Sequence, residues 1–443
     1  RKIIGADPGR TESAEIADLH LPIKPGSDIA LFNGMLHVLI GEGLVDQAYV
    51  AAHTSGFDAL ADIVKNYSPD KVAAICGIPA DAIVQAARWF GASEASLSLY
   101  CQGLNQSAHG THNNAGIIHL HLATGQIGKP GAGPFSLTGQ PNAMGGREVG
   151  GLSNLLSAHR DLANPEHRAE VARLWGIPEV PAKPGKAAVN LFQALKTGEI
   201  KAVWIACTNP VQSLPNQAAV REALQAAEYV VVQETYGNTD TAAYADLLLP
   251  ASGWGEKHGT VTNSERCITR VQSAFQAPGE ARHDWEIVVD FARRLGHRLG
   301  RTDAERLFPY GDAESIFNEH RESTRGRDLD ITGMSYAMLD AAPQQWPLPE
   351  GALHGKARLY EDAVFPTADG CARFADTVYQ PLAEPRESRY PFSLTTGRLR
   401  DQWHGMSRTG LVARLYSHEA EPLLHMHKDD MERRKLGDGD LVK

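Results

Sequence analysis

The two stretches "AAVNLFQALKTGEIKAVWIAC" (residues 187–207) and "EYVVVQETYGNTDTAAYADLLLP" (residues 228–250) decide the fold. The first reads as an amphipathic helix closed by Gly198, followed by a buried strand over 201–207. The second opens on another buried strand, passes a helix-like "TDTAAYA" and reaches the short strand "DLLLP". Short apolar runs separated by helical stretches belong to a mainly parallel sheet, because a parallel connection needs a crossover. In such sheets ligands sit on the loops that leave the carboxyl ends of the strands.

The same alternation runs outward in both directions. Residues 3–6 read as a strand entering the turn "DPGR", and Asp28 reads as the N-cap of a helix over 29–40 that is apolar nearly all round. "SPDKVAAICG" and "IPADAIVQAARWFG" are helices with Pro in the first turn and Gly past the end. "HDWEIVVDFARRLG" is another capped helix. Over 301–388 the pattern weakens into prolines and charges, which suggests a linker or insert, and "YPFSLTTGRLRDQW" then starts a β-rich segment. The fold class is therefore α/β, with mainly parallel sheets and flanking helices.

Composition narrows the function. The 443 residues are 42% hydrophobic and 22% charged, as in an ordinary globular protein, and the net charge of −10 argues against a nucleic-acid partner. No apolar run approaches the ~20 residues that span a bilayer, so no membrane partner is expected. The five cysteines are scattered without a C-x-x-C pair, offering neither a disulfide framework nor a cluster-binding set, which favours a reducing, cytoplasmic compartment. The chain opens on a strand and closes on the turn "LGDGDLVK", so a piece of a longer protein is expected.

Several loops after strands share one chemistry: "DPGRT", "TNP", "ETYGNTD" and "ASGWGEKHGTVTNSER" carry small residues, amides and carboxylates. Together they suit a large polar ligand such as a nucleotide, although none matches the Gly-rich dinucleotide or P-loop patterns. The stretch "GPFSLTGQPNAMGGREVGG" (residues 133–151) reads as a loop, too rich in breakers for a helix and too polar for a core strand. Its Arg147 and Glu148 are either a surface ion pair or part of a site. The histidines of "SAHGTHNNAGIIHLHLA" lack the i, i+4 spacing of a helical zinc site, so a metal hydrolase is disfavoured and structural roles are expected.

The run "GLNQSAHGTHNNAGIIHLHLATGQIGKPGAGPFSLTGQPNAMGGREVGG", with "HRDLANPEHRAEVARLWG", "WIACTNPVQSLPN", "ADLLLPASGWGEKHGTVTNSER" and "TTGRLRDQWHGMSRTG", resembles the molybdopterin oxidoreductases that bind a bis-molybdopterin guanine dinucleotide (the DMSO reductase superfamily). Within that family the resemblance is greatest to the catalytic subunits of bacterial assimilatory nitrate reductases. It implies two dinucleotide-binding-like domains: the end of a Rossmann-like one over 1–96, and an α/β domain with the active-site loop over 97–300. A linker or insert at 301–388 and the start of a C-terminal β-barrel domain at 389–443 follow. The implied cofactor is Mo-bis(molybdopterin guanine dinucleotide), with a [4Fe-4S] cluster and the molybdenum-binding thiolate upstream of Arg1. The implied reaction is nitrate reduction to nitrite by oxygen-atom transfer for nitrogen assimilation, fed by an electron donor protein or reductase subunit. A formate dehydrogenase-like or other molybdopterin oxidoreductase and a metal-free homologous binding subunit are the alternatives.

The resemblance also assigns residues. Arg147 would face substrate in the funnel, where a guanidinium matches a planar oxyanion, and Met144 would line the same pocket or fill the core. Asp7, Pro8, Gly9, Arg10 and Thr11, with Gly26, Ser27 and Asp28, would hold one guanosine, Asp28 reading its base. Gln102, Gln106, Asn209, Gln233, Glu234, Lys257 and Asp284 would hold the other dinucleotide. Lys257 would meet pyrophosphate, and Asp284 would read guanine or simply cap its helix. Thr396, Gly397, Arg398, Leu399, Gln402, Trp403 and His404 would contact the pterin. His258 departs from the glutamate the family pattern carries after Lys257.

Overall fold

The computed structural model describes residues 1–397, 399–403 and 405–442. The chain forms two compact units, the first from residues 1–185, 258–272 and 303–394 and the second from 186–257, 273–302 and 395–443.

The first unit is built on the helix Asp28–Gly41, whose Ile29, Ala30, Leu31, Met35, Leu36, Val38 and Leu39 are all buried. A helix apolar on every side needs neighbours on every side. It has them in Phe57–Val64, Pro69–Cys76, Ala80–Gly91 and Gly110–Ala123. Pro69 sits in the first turn of its helix and Gly77 closes it in the left-handed conformation. Asp28 differs from the expected N-cap: it is the first helical residue, and Ser27 before it makes no side-chain cap bond.

Two short parallel strand pairs carry loops in this unit. Ile4–Ala6 lies beside Leu19–Leu21, and Leu97–Tyr100 beside Gly133–Ser136. The stretch 133–151 is therefore not a plain loop, since it contains that last strand and the helix Ala143–Glu148. Tertiary partners override the local preference of its glycines and prolines.

Residues 301–388, expected as a linker or insert, carry the helices Ala313–Ser323 and Tyr336–Ala341. They supply Phe317, Leu329, Ile331, Met334, Tyr336, Leu339, Trp346 and Leu348 to a buried apolar cluster. Further on, Ala372–Arg373 pairs in parallel with Thr54–Ser55, and buried Asn33 binds the Thr377 carbonyl at 2.7 Å.

The second unit holds a three-stranded parallel sheet in the order Leu247–Pro250, Tyr229–Glu234, Ala202–Ala206. Alternation sorts its faces. Ile205, Val230 and Val232 pack with Phe192, Leu195, Val220 and Leu224 of the helices Ala188–Lys196 and Gln217–Ala226. Trp204, one residue out of phase, meets Phe291 of the helix Asp284–Arg298 edge-on at 4.9 Å. The "TDTAAYA" segment is a single 3-10 turn, Ala242–Tyr244. Among the described residues 395–443 form no strand, only 3-10 turns and the helix Lys428–Arg434. A strand exists only by pairing, and no segment here pairs with the β-patterned start at "YPFSLTT".

Candidate functional site

In the second unit the polar residues converge at the carboxyl edge of the sheet. Asn209 follows the strand Ala202–Ala206, Gln233 and Glu234 end Tyr229–Glu234, and Lys257 stands on the loop after Leu247–Pro250. Asp284 opens the helix Asp284–Arg298. It is not the cap: His283 holds that position, and Glu286 returns a bond to the His283 N–H at 3.1 Å. The Asp284 carboxylate is thus available elsewhere. One oxygen accepts from the Gln233 side-chain amide at 2.7 Å and from the Cys207 thiol at 3.5 Å, and the other pairs with the Lys257 ammonium.

Charge follows from this geometry. Burial alone would raise the Asp284 carboxyl, but the bonds from Lys257 and Gln233 outweigh it and hold the group below its ordinary value. Burial, with the Asp284 charge beside it, pushes the Cys207 thiol up to about 11. Cys207 also adopts a left-handed backbone, φ 61°, which is uncommon for a residue with a Cβ. No sequence pattern singled it out, and only the end of its strand hinted at a role. Asn209 accepts from the N–H and hydroxyl of Thr241 at 3.1 and 2.5 Å, and Glu234 accepts from Thr235 N at 2.7 Å.

This donor set fits a guanine nucleotide. Gln233 is 1% exposed, and its Oε1 lacks a hydrogen-bond partner, an orphan that a donor on a ligand would satisfy. A carboxylate, a buried amide and one cation around a strand edge match a base edge and a phosphate. In the same unit Gln402 is buried with its Oε1 likewise unpartnered, and Trp403 N donates to Thr409 at 3.0 Å. Thr396 and Gly397 are exposed and Leu399 is half-buried. Arg398 and His404 lie outside the described residues.

In the first unit the loops "DPGRT" and "GSD" leave the neighbouring strands Ile4–Ala6 and Leu19–Leu21, so parallel pairing brings them together. Asp7 N donates to Leu21 O at 3.3 Å, and the Asp7 carboxylate accepts from Gly9 N at 2.8 Å in a tight turn that leaves Pro8, Arg10 and Thr11 exposed. Thr11 caps the helix Glu12–Glu15. Gly26 has φ 81°, and a Cβ there would lie 2.5 Å from Leu382. Burial pushes the Asp28 carboxyl above its ordinary value, so a neutral or hydrogen-bonding partner suits it.

The second strand pair of this unit places Gln102 and Gln106, both exposed, on the segment leaving Leu97–Tyr100, beside the stretch leaving Gly133–Ser136. That second stretch ends in Arg147. The surface ion pair with Glu148 does not form. Glu148 is 2% exposed and accepts from the Trp346 indole at 2.5 Å and the Thr262 hydroxyl at 2.8 Å. Arg147 is exposed, and among the described residues no carboxylate pairs with it. The neighbouring glycines separate into two kinds. Gly150, at φ 79°, abuts the Leu156 backbone, so its own fold demands it, whereas a Cβ on Gly146 would meet nothing within 4 Å. Met144 is half-buried against the Ile268 and Trp346 cluster.

The two buried histidines of the helix Gly110–Ala123 each make one structural hydrogen bond, while their Nδ1 atoms have no partner. His119 accepts from Ala375 N at 3.1 Å, and His121 bonds the Ser98 hydroxyl at 2.7 Å.

Residues 1–294 match the molybdopterin oxidoreductase family, and residues 392–443 match the molydopterin dinucleotide binding domain. The chain belongs to the molybdopterin oxidoreductases. It is 44% identical to a nitrate reductase of Synechocystis, covering 95% of this chain and 59% of that protein. It is 35% identical to the assimilatory nitrate reductase catalytic subunit of Bacillus subtilis, covering 99% and 61%. It is also 34% identical to the F420-dependent formate dehydrogenase subunit alpha of Methanocaldococcus jannaschii, covering 100% and 63%. Its fold matches acetylene hydratase from Pelobacter acetylenicus with a TM-score of 0.72 at 22% identity, over 99% of this chain and 62% of that one. The chain thus spans less than two thirds of the length of each of these proteins. Among the described residues no helix is long and apolar enough to cross a membrane.

Proposed function

We propose that this chain is the cofactor-holding part of the catalytic subunit of a molybdenum-dependent nitrate reductase that serves nitrogen assimilation in the cytoplasm. The observation that carries the reading is the convergence of Asn209, Gln233, Glu234, Lys257 and Asp284 on one strand edge of a chain that belongs to this family. The resemblance to proteins named nitrate reductases supports nitrate as the substrate.

When bound, Mo-bis(molybdopterin guanine dinucleotide) supplies the oxygen-atom and electron transfer that converts nitrate to nitrite. The protein's share is to bind and orient. Asp284 and Gln233 would recognise one guanine edge, and Lys257, which pairs with Asp284 here, would neutralise pyrophosphate. Asp28, with the turn Asp7 to Thr11, recognises the other guanosine. Gln102 and Gln106 of the first unit, and Asn209 and Glu234 of the second, would each contribute amide or carboxylate contacts. Thr396, Gly397, Leu399, Gln402 and Trp403 would contact the pterin. Gly146 lets the backbone come close to a bound group, and Arg147 clamps the planar anion with its guanidinium fork. Met144 would line the same pocket. A [4Fe-4S] cluster and a thiolate for molybdenum are expected of the full-length enzyme, and an electron donor protein or reductase subunit would deliver the electrons.

The test is made on the full-length enzyme. Asp284→Ala is expected to lower molybdenum and guanine content together, since a charge-assisted hydrogen bond contributes about 1.5–3 kcal/mol. Full occupancy with wild-type turnover in that variant would remove the nucleotide assignment. A formate dehydrogenase reading rests on the Methanocaldococcus relative. Formate oxidation without nitrate turnover by the purified enzyme would establish it instead.

A further inference from the structure

The helix Ala143–Glu148 has six residues and two central glycines, so nothing in its own sequence makes it stable. Its geometry comes from outside. Thr262 holds both ends: its N–H donates to Asn142 Oδ1 at 2.9 Å, and its hydroxyl donates to Glu148 Oε2 at 2.8 Å. Trp346 supplies the third bond, to Glu148 Oε1, and Ala158 N reaches the Glu148 carbonyl at 2.7 Å. Trp346 is itself clamped, with the Arg266 guanidinium 5.2 Å over its face and the His159 ring edge-on at 6.0 Å.

Successive helical residues point about 100° apart, as 3.6 residues per turn requires. Fixing Glu148 inward therefore turns Arg147 outward to the exposed surface. A carboxylate is an expensive way to fill a core, because an apolar residue of similar volume is often as good or better for stability. What the carboxylate adds is two directed bonds that set the rotation of the helix.

We infer that Glu148, held by Trp346 and Thr262, is the positioning residue that aims Arg147 at its anionic substrate, an inference that rests on the nitrate reading of that arginine. Glu148 touches no substrate and acts only through its neighbour. The titratable groups near it are His159 and Asp328, which lie 2.9 Å apart.

A double-mutant cycle on the full-length enzyme tests this. Glu148→Gln and Trp346→Phe are each made in the wild-type and in the Arg147→Ala background. Molybdenum content, kcat and KM for nitrate are then measured. In the wild-type background each is expected to lower kcat/KM by about 10²-fold, the effect of a small misplacement, at unchanged molybdenum content. In the Arg147→Ala background neither should lower it further, since there is nothing left to aim. Equal losses in both backgrounds would mean Glu148 merely supports the fold, and wild-type kinetics in both variants would also overturn the inference. If Glu148→Gln does not accumulate, Trp346→Phe, which deletes one N–H, decides the matter alone. Failure of the underlying reading is separately visible, as wild-type nitrate turnover in Arg147→Ala.

Discussion

The Lys257 ammonium is paired with the Asp284 carboxylate across the carboxyl edge of the parallel sheet, with both side chains 29% exposed. The lysine reaches from the loop after one strand, and the aspartate opens a helix 27 residues further along the chain. Neither is anchored by its own backbone element. The pair is a contact that the sheet creates.

That contact has a pH signature. Asp284 is held below its unfolded value, so its contribution is fully present above the ordinary aspartate range, near 3.8, and is lost as pH falls through the depressed folded value. Thermal melting of the full-length protein should show a shallower acid limb in Asp284→Asn than in wild type below about pH 4. Superimposable acid limbs would mean the pair contributes nothing in solution.

The buried histidines predict a second, earlier slope. Burial lowers His119 to about 4 and His121 to about 3. A folded-state value below the unfolded one means stability is complete above about 6.5 and declines as pH falls from there toward the folded values. Each histidine should contribute about 1.4 kcal/mol per pH unit within that window. His121→Gln should flatten the melting temperature against pH between about 6 and 4.5 while lowering it near neutrality. An unchanged slope would place the ring in water.

The arginine makes a chemical prediction. Arg147→Ala in the full-length enzyme should leave metal content near normal and reduce nitrate turnover by about 10²–10³, the usual loss on removing a donor aimed at a reacting anion. Arg147→Lys should recover only part, because an ammonium keeps the charge but not the planar fork. Equal activity of the lysine variant and wild type would show that charge alone suffices.

A packing prediction needs no ligand. A Cβ on Gly34 would lie 2.9, 3.1 and 3.2 Å from three side-chain atoms of Val72, a β-branched residue with little freedom to move. Gly34→Ala should therefore destabilise by about 1–3 kcal/mol despite the better helix propensity of alanine. A higher melting temperature would show that the two helices can separate without loss.

The local elements of both units were legible in the sequence wherever periodicity and punctuation agree. The buried helix at Asp28–Gly41, the helix Pro69–Cys76 between its proline and glycine, and the strands Ala202–Ala206 and Tyr229–Glu234 all announce themselves in a few neighbouring residues. Motif resemblance led to the family, and the strand-end positions of Asn209, Gln233 and Glu234 followed from the α/β alternation. Where signals conflicted, the sequence misled. The glycines of 133–151 concealed a strand and a helix, and the prolines and charges of 301–388 concealed a buried apolar cluster.

What the sequence determined alone was thus the local helices and strands where signals agree and the loops that leave the strand ends, because propensity, capping and period are properties of adjacent residues. The tertiary structure decided the partners. Asp284 faces Lys257 and Gln233 instead of capping its helix, and Glu148 turns away from Arg147 to a tryptophan 198 residues further along. Such bonds form when sheet pairing and core packing carry distant atoms to within 3 Å, where a buried carboxylate must find its donors or remain costly. No local pattern encodes that distance.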